Sequence, residues 1–557
     1  MKKRYFLLAL MAASLLGTQA AERTLRQKQL AAAAALASQG GMKKAPAASE
    51  MLELKVMPAL TVMGSHQGGF AVIANDDANE AVLGYSTSPY DSTMPDGFTW
   101  WLNAANEALA NGTVKKAVRV SGNYKTEMEP IMLTKWGQGE PYNLLCYKKY
   151  PSGCVATAMA QVMYFHKYPT TGEGEEISID NFEIVDFAEG TYDYDNMLLE
   201  YKKGEYNKTQ GDAVAKLMYH CGIAVFMQYN ATGSGSHYIL AANALRKNFK
   251  YNTNLHNVRR EYYTAEEWND MLYGELNAGR PLLYSGSDID KSAGHAFVFD
   301  GYNAEGLVHV NWGWDGSKDG YYDMNILQPN GSEEKYSSYQ NMIVGFALPD
   351  ENVPEHSDLY FTKTPDVSAT SNTLVFKVSQ SSPIMNYNDY DFMGTVTAHW
   401  TRPDGTTYDD TFINIDNEDD AVHAMPYYSP NLNLGYLYND SKRSTLSNAA
   451  NGTYKLTVTT KYVNSDNEFP VRAAGGVTSY TIVKNGSRVT VTKDTPTGID
   501  RQVTVSQPAA DEYTTVYNAQ GEQLYRCKTA NFRLSDVNAK GLLIVKSGST
   551  VKKVVNE

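Results

Sequence analysis

Pro151-Ser152-Gly153-Cys154-Val155-Ala156-Thr157-Ala158-Met159-Ala160-Gln161-Val162-Met163 is the stretch whose reading decides the fold. Val155, Ala158, Met159, Val162 and Met163 recur at steps of three and four, which predicts a helix, and Pro169 ends the run. Pro151 and Gly153 oppose an earlier start, so Cys154 falls in the first turn, where backbone amides face it. A thiol attacks only as thiolate, and both a helix N-terminus and a neighbouring imidazolium favour that form. A lone cysteine in this position also reads as an ordinary buried core residue. A base, an oxyanion donor and a screen against water must come from elsewhere in the chain.

Working outward, Gly294-His295-Ala296-Phe297-Val298 sets a histidine after a glycine and at the head of an apolar strand. The glycine allows close approach of the backbone, and the strand would hold the imidazole on a rigid element. His309 is the rival among ten histidines. It lies inside a strand, on the same face as Asn311, and reads as a hydrogen-bonded core residue. Asn311 offers an amide oxygen that would fix an imidazole tautomer, and the indoles of Trp312 and Trp314 would keep water away. Gln138, between Gly137 and Gly139, would donate to a tetrahedral oxyanion beside the Cys154 amide.

The chain has 557 residues, which implies several domains. A helical stretch at 25–38 and a hairpin pattern at 70–74 and 81–86 precede helical spacing at 98–110. The polar stretch 111–129 reads as a processing region. Helices are expected after Cys154, at 212–222 and at 265–278. Strands follow at 282–284, 296–302, 307–312 and 320–324. A helical front with a β rear is an α+β layout. Short strands with turn residues over 351–487 predict an immunoglobulin-like β-sandwich, and 488–557 a small β domain. The expected boundaries are a signal peptide at 1–20, an N-terminal region at 21–129, a catalytic domain at 130–350, and the two β domains.

Net charge is −13 without long runs, which argues against nucleic acid as a partner. The basic start Met1-Lys2-Lys3-Arg4 followed by a short apolar run and small residues before Ala20 reads as a cleaved export signal, too short to span a bilayer. No other stretch is long enough for an integral membrane segment. Four scattered cysteines suggest no disulfide framework, although Cys146 and Cys221 could pair. The remaining Cys and His show no metal-ligand spacing, so neither a metal nor a cofactor is expected.

Together, Lys135-Trp136-Gly137-Gln138-Gly139-Glu140-Pro141-Tyr142-Asn143, Gly153-Cys154-Val155-Ala156-Thr157-Ala158, Gly294-His295-Ala296-Phe297-Val298 and His309-Val310-Asn311-Trp312-Gly313-Trp314 resemble the streptopain family of cysteine peptidases in order and spacing. The resemblance covers about residues 50–350. It implies a papain-like catalytic domain behind an α/β inhibitory propeptide, made as a zymogen and exported. It implies a cysteine endopeptidase in which Cys154 attacks the peptide carbonyl, His295 carries the proton and Gln138 serves the oxyanion. Papain-type enzymes separate the Asn and Trp by one residue, whereas Trp312 directly follows Asn311, so the orienting and shielding roles stay shared among Asn311, Trp312 and Trp314. The segments aligned with the family's substrate pockets bring in Met227, Tyr229, Ser285 and Gly294. Protein or peptide substrates and the chain's own propeptide are the implied partners. The tail, with Tyr517-Asn518-Ala519-Gln520-Gly521 and Gly541-Leu542-Leu543-Ile544-Val545-Lys546, resembles the sorting domains of type IX secretion cargo and implies contact with secretion machinery. An acyl-transferring enzyme on the same fold and a non-enzymatic surface adhesin are the alternatives.

Overall fold

The computed structural model describes residues 20–38, 46–65, 68–91, 93–112, 123–288, 294–327, 338–388, 390–424, 435–437, 442–476 and 479–494, and, in a separate C-terminal unit, 513–518, 523–528, 537, 541–547 and 550–556. Apart from Ala20, the expected export signal lies outside the described residues, as do 113–122 of the expected processing stretch.

The larger unit is built on one ten-stranded sheet that joins the N-terminal region to the catalytic region. Helix α1 (Leu25–Ala37) starts at Thr24, whose side chain accepts the Gln27 N–H while Gln27 returns the bond to the Thr24 amide. This reciprocal cap satisfies two amides the helix cannot satisfy itself. Four antiparallel strands follow: β1 (Leu52–Val56), β2 (Leu60–Gly64), β3 (Phe70–Ala74) and β4 (Val82–Ser86). The β3–β4 hairpin matches the sequence reading, with Phe70 opposite Ser86. Strands β1 and β2 were not read from sequence, since β2 is buried along its whole length and shows no alternation. Helix α2 (Asp96–Ala110) then crosses the sheet.

The catalytic region supplies helices α3 (Cys154–His166), α4 (Lys208–Ala224), α5 (Leu240–Lys247) and α6 (Ala265–Asn277). A small antiparallel pair, β5 (Glu175–Ile177) and β6 (Ile184–Asp186), stands apart. Strands β7 (His256–Arg259), β8 (Leu282–Asp288), β9 (Gly294–Tyr302), β10 (Val308–Asn311), β11 (Gly320–Tyr322) and β12 (Ser338–Val344) complete the large sheet in the order β1-β2-β3-β4-β11-β10-β9-β8-β12-β7. The junction between the two halves is the pairing of β4 with β11, Tyr85 opposite Tyr321 and Gly84 opposite Tyr322.

Both faces of the sheet are buried at its centre, whereas β1 is exposed along its length. Ala296 and Val298 of β9 pack with α3, α4 and α5 in one core, and Phe297 and Phe299 pack with α2 and α6 in another. A strand alternates its side chains across the sheet, so a strand buried on both sides becomes a continuous apolar run. The same alternation splits β3: Phe70, Val72 and Ala74 join the second core, while Ala71 and Ile73 meet α1.

The described residues between Leu359 and Lys493 form mostly antiparallel sheets, with Leu359–Phe361 parallel to Arg472–Ala473, around Phe361, Phe376, Trp400, Leu456 and Tyr480. Along Gly394–Thr401 burial alternates strictly, the half-buried pattern that the sequence reading used. The strand Arg488–Lys493 pairs with Ser479–Asn485, so this unit extends past the expected boundary at 487. It docks on the catalytic region through Arg472, which donates to both carboxylate oxygens of Glu267, and through Tyr360 stacked on Tyr262 at 3.9 Å. The C-terminal unit is a four-stranded antiparallel sheet, Tyr513–Asn518, Gln523–Lys528, Gly541–Ser547 and Thr550–Asn556, around Val516, Leu543 and Val545. Among the described residues no helix is long and apolar enough to cross a membrane.

At Gly84 an added Cβ would lie 2.5 Å from a Tyr322 ring carbon, 2.9 Å from the Tyr321 carbonyl oxygen and 3.2 Å from the Trp101 ring. Gly84→Val should therefore destabilise the joined sheet by about 1–3 kcal/mol, through overpacking. Thermal unfolding of the full chain should show the loss as a lowered Tm, and an unchanged Tm would contradict this account of the junction.

Candidate active site

Gly153 carries φ +89°, and a Cβ there would sit 2.6 Å from the Met227 sulfur. Only glycine fits this position without strain or clash, and it aims the chain so that α3 begins at Cys154. One residue earlier, the Ser152 N–H donates to the Gln138 carbonyl at 3.0 Å. The Gln138 turn and the Cys154 turn are thus joined directly. Gly137 lies against the Asp315 carboxylate, which ties the same turn to the loop after β10.

A cleft of about 1650 Å³ opens at the head of α3. Cys154, Gln138, Gly294, His295, Ala296, Trp312 and Trp314 line it, as do Asp96 and Gly97 from the start of α2. Five separate segments, the thiol's own among them, therefore line one cleft. The backbone amides of Ala296, Val155 and Cys154 favour the Cys154 thiolate. Burial nevertheless dominates and raises the thiol above its ordinary pKa, and the Asp96 carboxylate adds to the rise. In this state the nucleophilic thiolate is disfavoured.

The profile of the Peptidase C10 family matches residues 136–322. Streptopain from Streptococcus pyogenes serotype M28 is 30% identical over 315 residues, covering 50% of this chain and 78% of that protein. This chain belongs to the peptidase C10 family. The thiol protease/hemagglutinin PrtT from Porphyromonas gingivalis is 30% identical over 378 residues, 61% of this chain and 42% of that one. Among solved structures, a fragment of prointerpain A from Prevotella intermedia, a cysteine-to-alanine mutant, superposes with a TM-score of 0.50 at 39% identity. It covers 55% of this chain and 99% of that one. The chain is accordingly a C10 cysteine peptidase of mixed α+β build.

The C10 cleft holds most of the residues singled out in the sequence, but not all. Trp312 is buried on Phe297, with ring centroids 4.7 Å apart, and its indole N–H donates to the Lys318 carbonyl at 3.0 Å. Asn311 has partners other than the expected imidazole. Its Oδ1 accepts from Gln161 Nε2 at 3.1 Å and from the Gly313 amide at 3.0 Å, while its Nδ2 donates to the Thr134 carbonyl at 2.7 Å. Gln161 in turn accepts from Thr134 Oγ1 at 2.8 Å. This closed network ties the cysteine helix to the end of β10, and a buried network with every member bonded is rigid. Gln161 was not singled out earlier, although one amide inside an apolar helix seven residues after Cys154 is a visible signal.

Of the expected substrate-binding residues, Tyr229 and Gly294 line the cleft. Met227 is buried beneath Gly153, and Ser285 is buried in β8, so neither belongs to the lining; Phe226 and Gln228 do. The Tyr229 amide donates to Asp180 at 3.1 Å, which fixes this wall. His309 pairs with Asp300 at 2.6 Å. Burial opposes its charge, but the Asp300 carboxylate outweighs it and raises the pKa. It is a core ion pair away from the cleft lining. Cys146 and Cys221 are separate buried thiols, and Cys221 contacts the Met163 sulfur at 3.5 Å instead.

Because burial and Asp96 both hold the thiol protonated, alkylation of Cys154 by iodoacetamide in the intact chain should accelerate only at alkaline pH. Asp96→Asn removes a charge that disfavours the thiolate, so its rate profile should move to lower pH. A profile that stays in place or moves upward would contradict the assigned field.

Proposed function

We propose that this chain is the zymogen of an exported cysteine endopeptidase, with Cys154 as nucleophile and His295 as its base and acid. The observation that carries the reading is the single cleft in which Cys154, His295, Gln138 and Trp312 meet residues of the N-terminal region. His295 takes the thiol proton as Sγ adds to the scissile carbonyl carbon. Gln138 Nε2 and the Cys154 amide receive the oxyanion, both at the turn joined by the Ser152 bond. The intermediate collapses to a thioester as His295 protonates the departing amine. Water, deprotonated by His295, then frees the acid product and restores the thiol.

Trp312 serves as the screen beside His295, and Trp314 extends it along the rim. Asn311 acts one step removed, by holding Trp312 and α3 in register. Phe226 and Tyr229 offer an apolar wall for the side chain preceding the cleaved residue. The residues at 1–20 support export, and the tail would serve as a sorting domain.

The N-terminal region is the chain's own inhibitor in this proposal. Gly97 lies so close to Trp312 and Phe297 that a Cβ would stand 2.9 Å and 3.1 Å from their rings. Trp100 fills the space over Gly286, the residue opposite His295 in the β8–β9 ladder. The fully buried Lys318 donates to Asp91 at 2.8 Å, and its amide donates to Ser88 Oγ at 2.8 Å. A buried ammonium that relies on a half-exposed carboxylate for its charge loses about 1–3 kcal/mol when that partner goes, between the values for surface and buried pairs. Departure of residues 88–101 would therefore release the segment between Trp312 and Tyr322 as it opens the cleft.

Purified precursor incubated under reducing conditions should shed its N-terminal region and then cleave casein, while Cys154→Ala stays intact and inert. If neither chain cleaves peptides, even after trypsin nicking in 111–129, the peptidase reading fails for this chain. In the processed enzyme Gln138→Ala should lower kcat by about 10²–10³ with little change in KM. Asp91→Asn should shorten the lag before activity appears, and a longer lag would contradict the role given to the Asp91–Lys318 pair.

A further inference from the structure

The outer face of the β5–β6 hairpin is apolar. Val185 packs against the core that holds α3, α4 and α5, and its ladder partner Glu176 is half-buried. Ile177 and Ile184, directly opposite one another in the same ladder, are 51% and 64% exposed. An antiparallel pair that only covers a core turns its apolar face inward and its polar face to water.

The turn of this hairpin carries a second anomaly. The Ser178 N–H donates to the Glu183 carbonyl and the Phe182 N–H to the Ser178 carbonyl, both at 2.9 Å. Phe182 takes φ +58°, a left-handed conformation that glycine adopts freely and that is an outlier for a bulky residue. It is also 80% exposed. Neither the backbone nor burial of the ring accounts for a phenylalanine here, and strain retained at such a residue points to a role outside folding.

The patch is continuous with the cleft. Ile177, Ile179 and Phe182 line the same cavity as Cys154. Asp180, in the hairpin turn, accepts the Tyr229 amide at 3.1 Å, which ties the hairpin to the wall of the site. On its other side Glu176 pairs with Lys247 of α5 at 2.6 Å, and Lys247 lines the cavity too. The apolar residues therefore stand on a held rim. A volume of about 1650 Å³ exceeds the roughly 300–1,000 Å³ of a small-molecule pocket and has room for several residues of an extended chain. Glu175, Glu183 and Asp186 are exposed along the hairpin, and their charge opposes an anionic bilayer as the occupant.

The geometry points to a distal substrate subsite: the β5–β6 hairpin holds apolar side chains of an extended protein segment, upstream of the residue held by Phe226 and Tyr229. This subsite rests on the peptidase reading of Cys154. Phe182 and Ile177 lose water-exposed apolar area when such a segment docks, which is a gain in binding that a polar segment does not supply. The substrate class is protein that presents an unfolded or extended apolar stretch before the cleaved bond.

The test uses enzyme processed from the full chain, parent beside Phe182→Gly. Three fluorogenic peptides share the cleaved bond and the two residues before it. One starts there, one is extended upstream by leucine, phenylalanine and leucine, and one by serine, glycine and serine. In the parent the apolar extension should raise kcat/KM by about tenfold or more, through KM, and the polar extension should not. In Phe182→Gly the gain should fall to about twofold or less, since the ring that buries apolar surface is gone. The Tm of this variant should not fall, because glycine relaxes the left-handed backbone, whereas a phenylalanine needed for folding would lower it. Equal gains in parent and variant, or equal gains from both extensions, would overturn the subsite and leave the peptidase reading standing. If the parent cleaves none of the three peptides, the peptidase reading fails and the subsite falls with it. If gel filtration shows a dimer that Phe182→Gly splits while the gain is kept, the patch belongs to a second copy of the chain and the subsite is overturned.

Discussion

Strand β9 is buried on both faces, and the two halves of the site depend on that one constraint. On one face Ala296 and Val298 pack in the same core as the cysteine helix. On the other face Phe297 carries Trp312 and receives α2. His295 begins the same strand. A shift of β9 by one residue would exchange the faces and place Phe297 against α3. The pairing of β9 with β8 and β10, and the Thr134–Gln161–Asn311 network across to α3, hold it in register.

The N-terminal region uses the same sheet. By pairing β4 with β11 it covers an edge that would otherwise present unsatisfied backbone groups. It also lays Phe98, Trp100 and Trp101 into the second core, where Trp101 contacts Tyr322 at 4.8 Å. Large aromatic burial of this kind gives strong docking without any covalent tie. The start of the same helix reaches the cleft at Asp96 and Gly97. Docking and the suppressed thiolate are thus consequences of one packing arrangement.

Much of this was legible in the sequence, and the gaps have physical causes. The helix from Cys154, the β3–β4 hairpin and strands β8 to β11 followed from period and turn residues, whereas β5, β6, β7 and β12 were not read. Strand β2 was hidden because burial on both faces erases alternation, and α5 because it is eight residues long. Gly153, Gln138 and His295 could be named because glycine beside a reactive residue type is a local signal. The partners of Asn311 could not, because Thr134 and Gln161 are distant in sequence and meet it only in the fold. Met227 lies one residue from the cleft wall, but the Phe226 turn, with φ +52°, directs it inward beneath Gly153.

Hydrogen exchange at the β11 edge tests the central claim most directly. The Cys154→Ala chain is compared before and after its N-terminal region is removed in trans by active enzyme and separated by gel filtration. If docking of that region holds the edge and the segment after Trp312, the backbone amides of 318–323 should be protected in the intact chain and exchange rapidly afterwards. The Asp323 amide, which donates to the Leu83 carbonyl at 2.8 Å, is the clearest reporter. Equal protection in both states would contradict the account, since the segment would then keep its order without the N-terminal region.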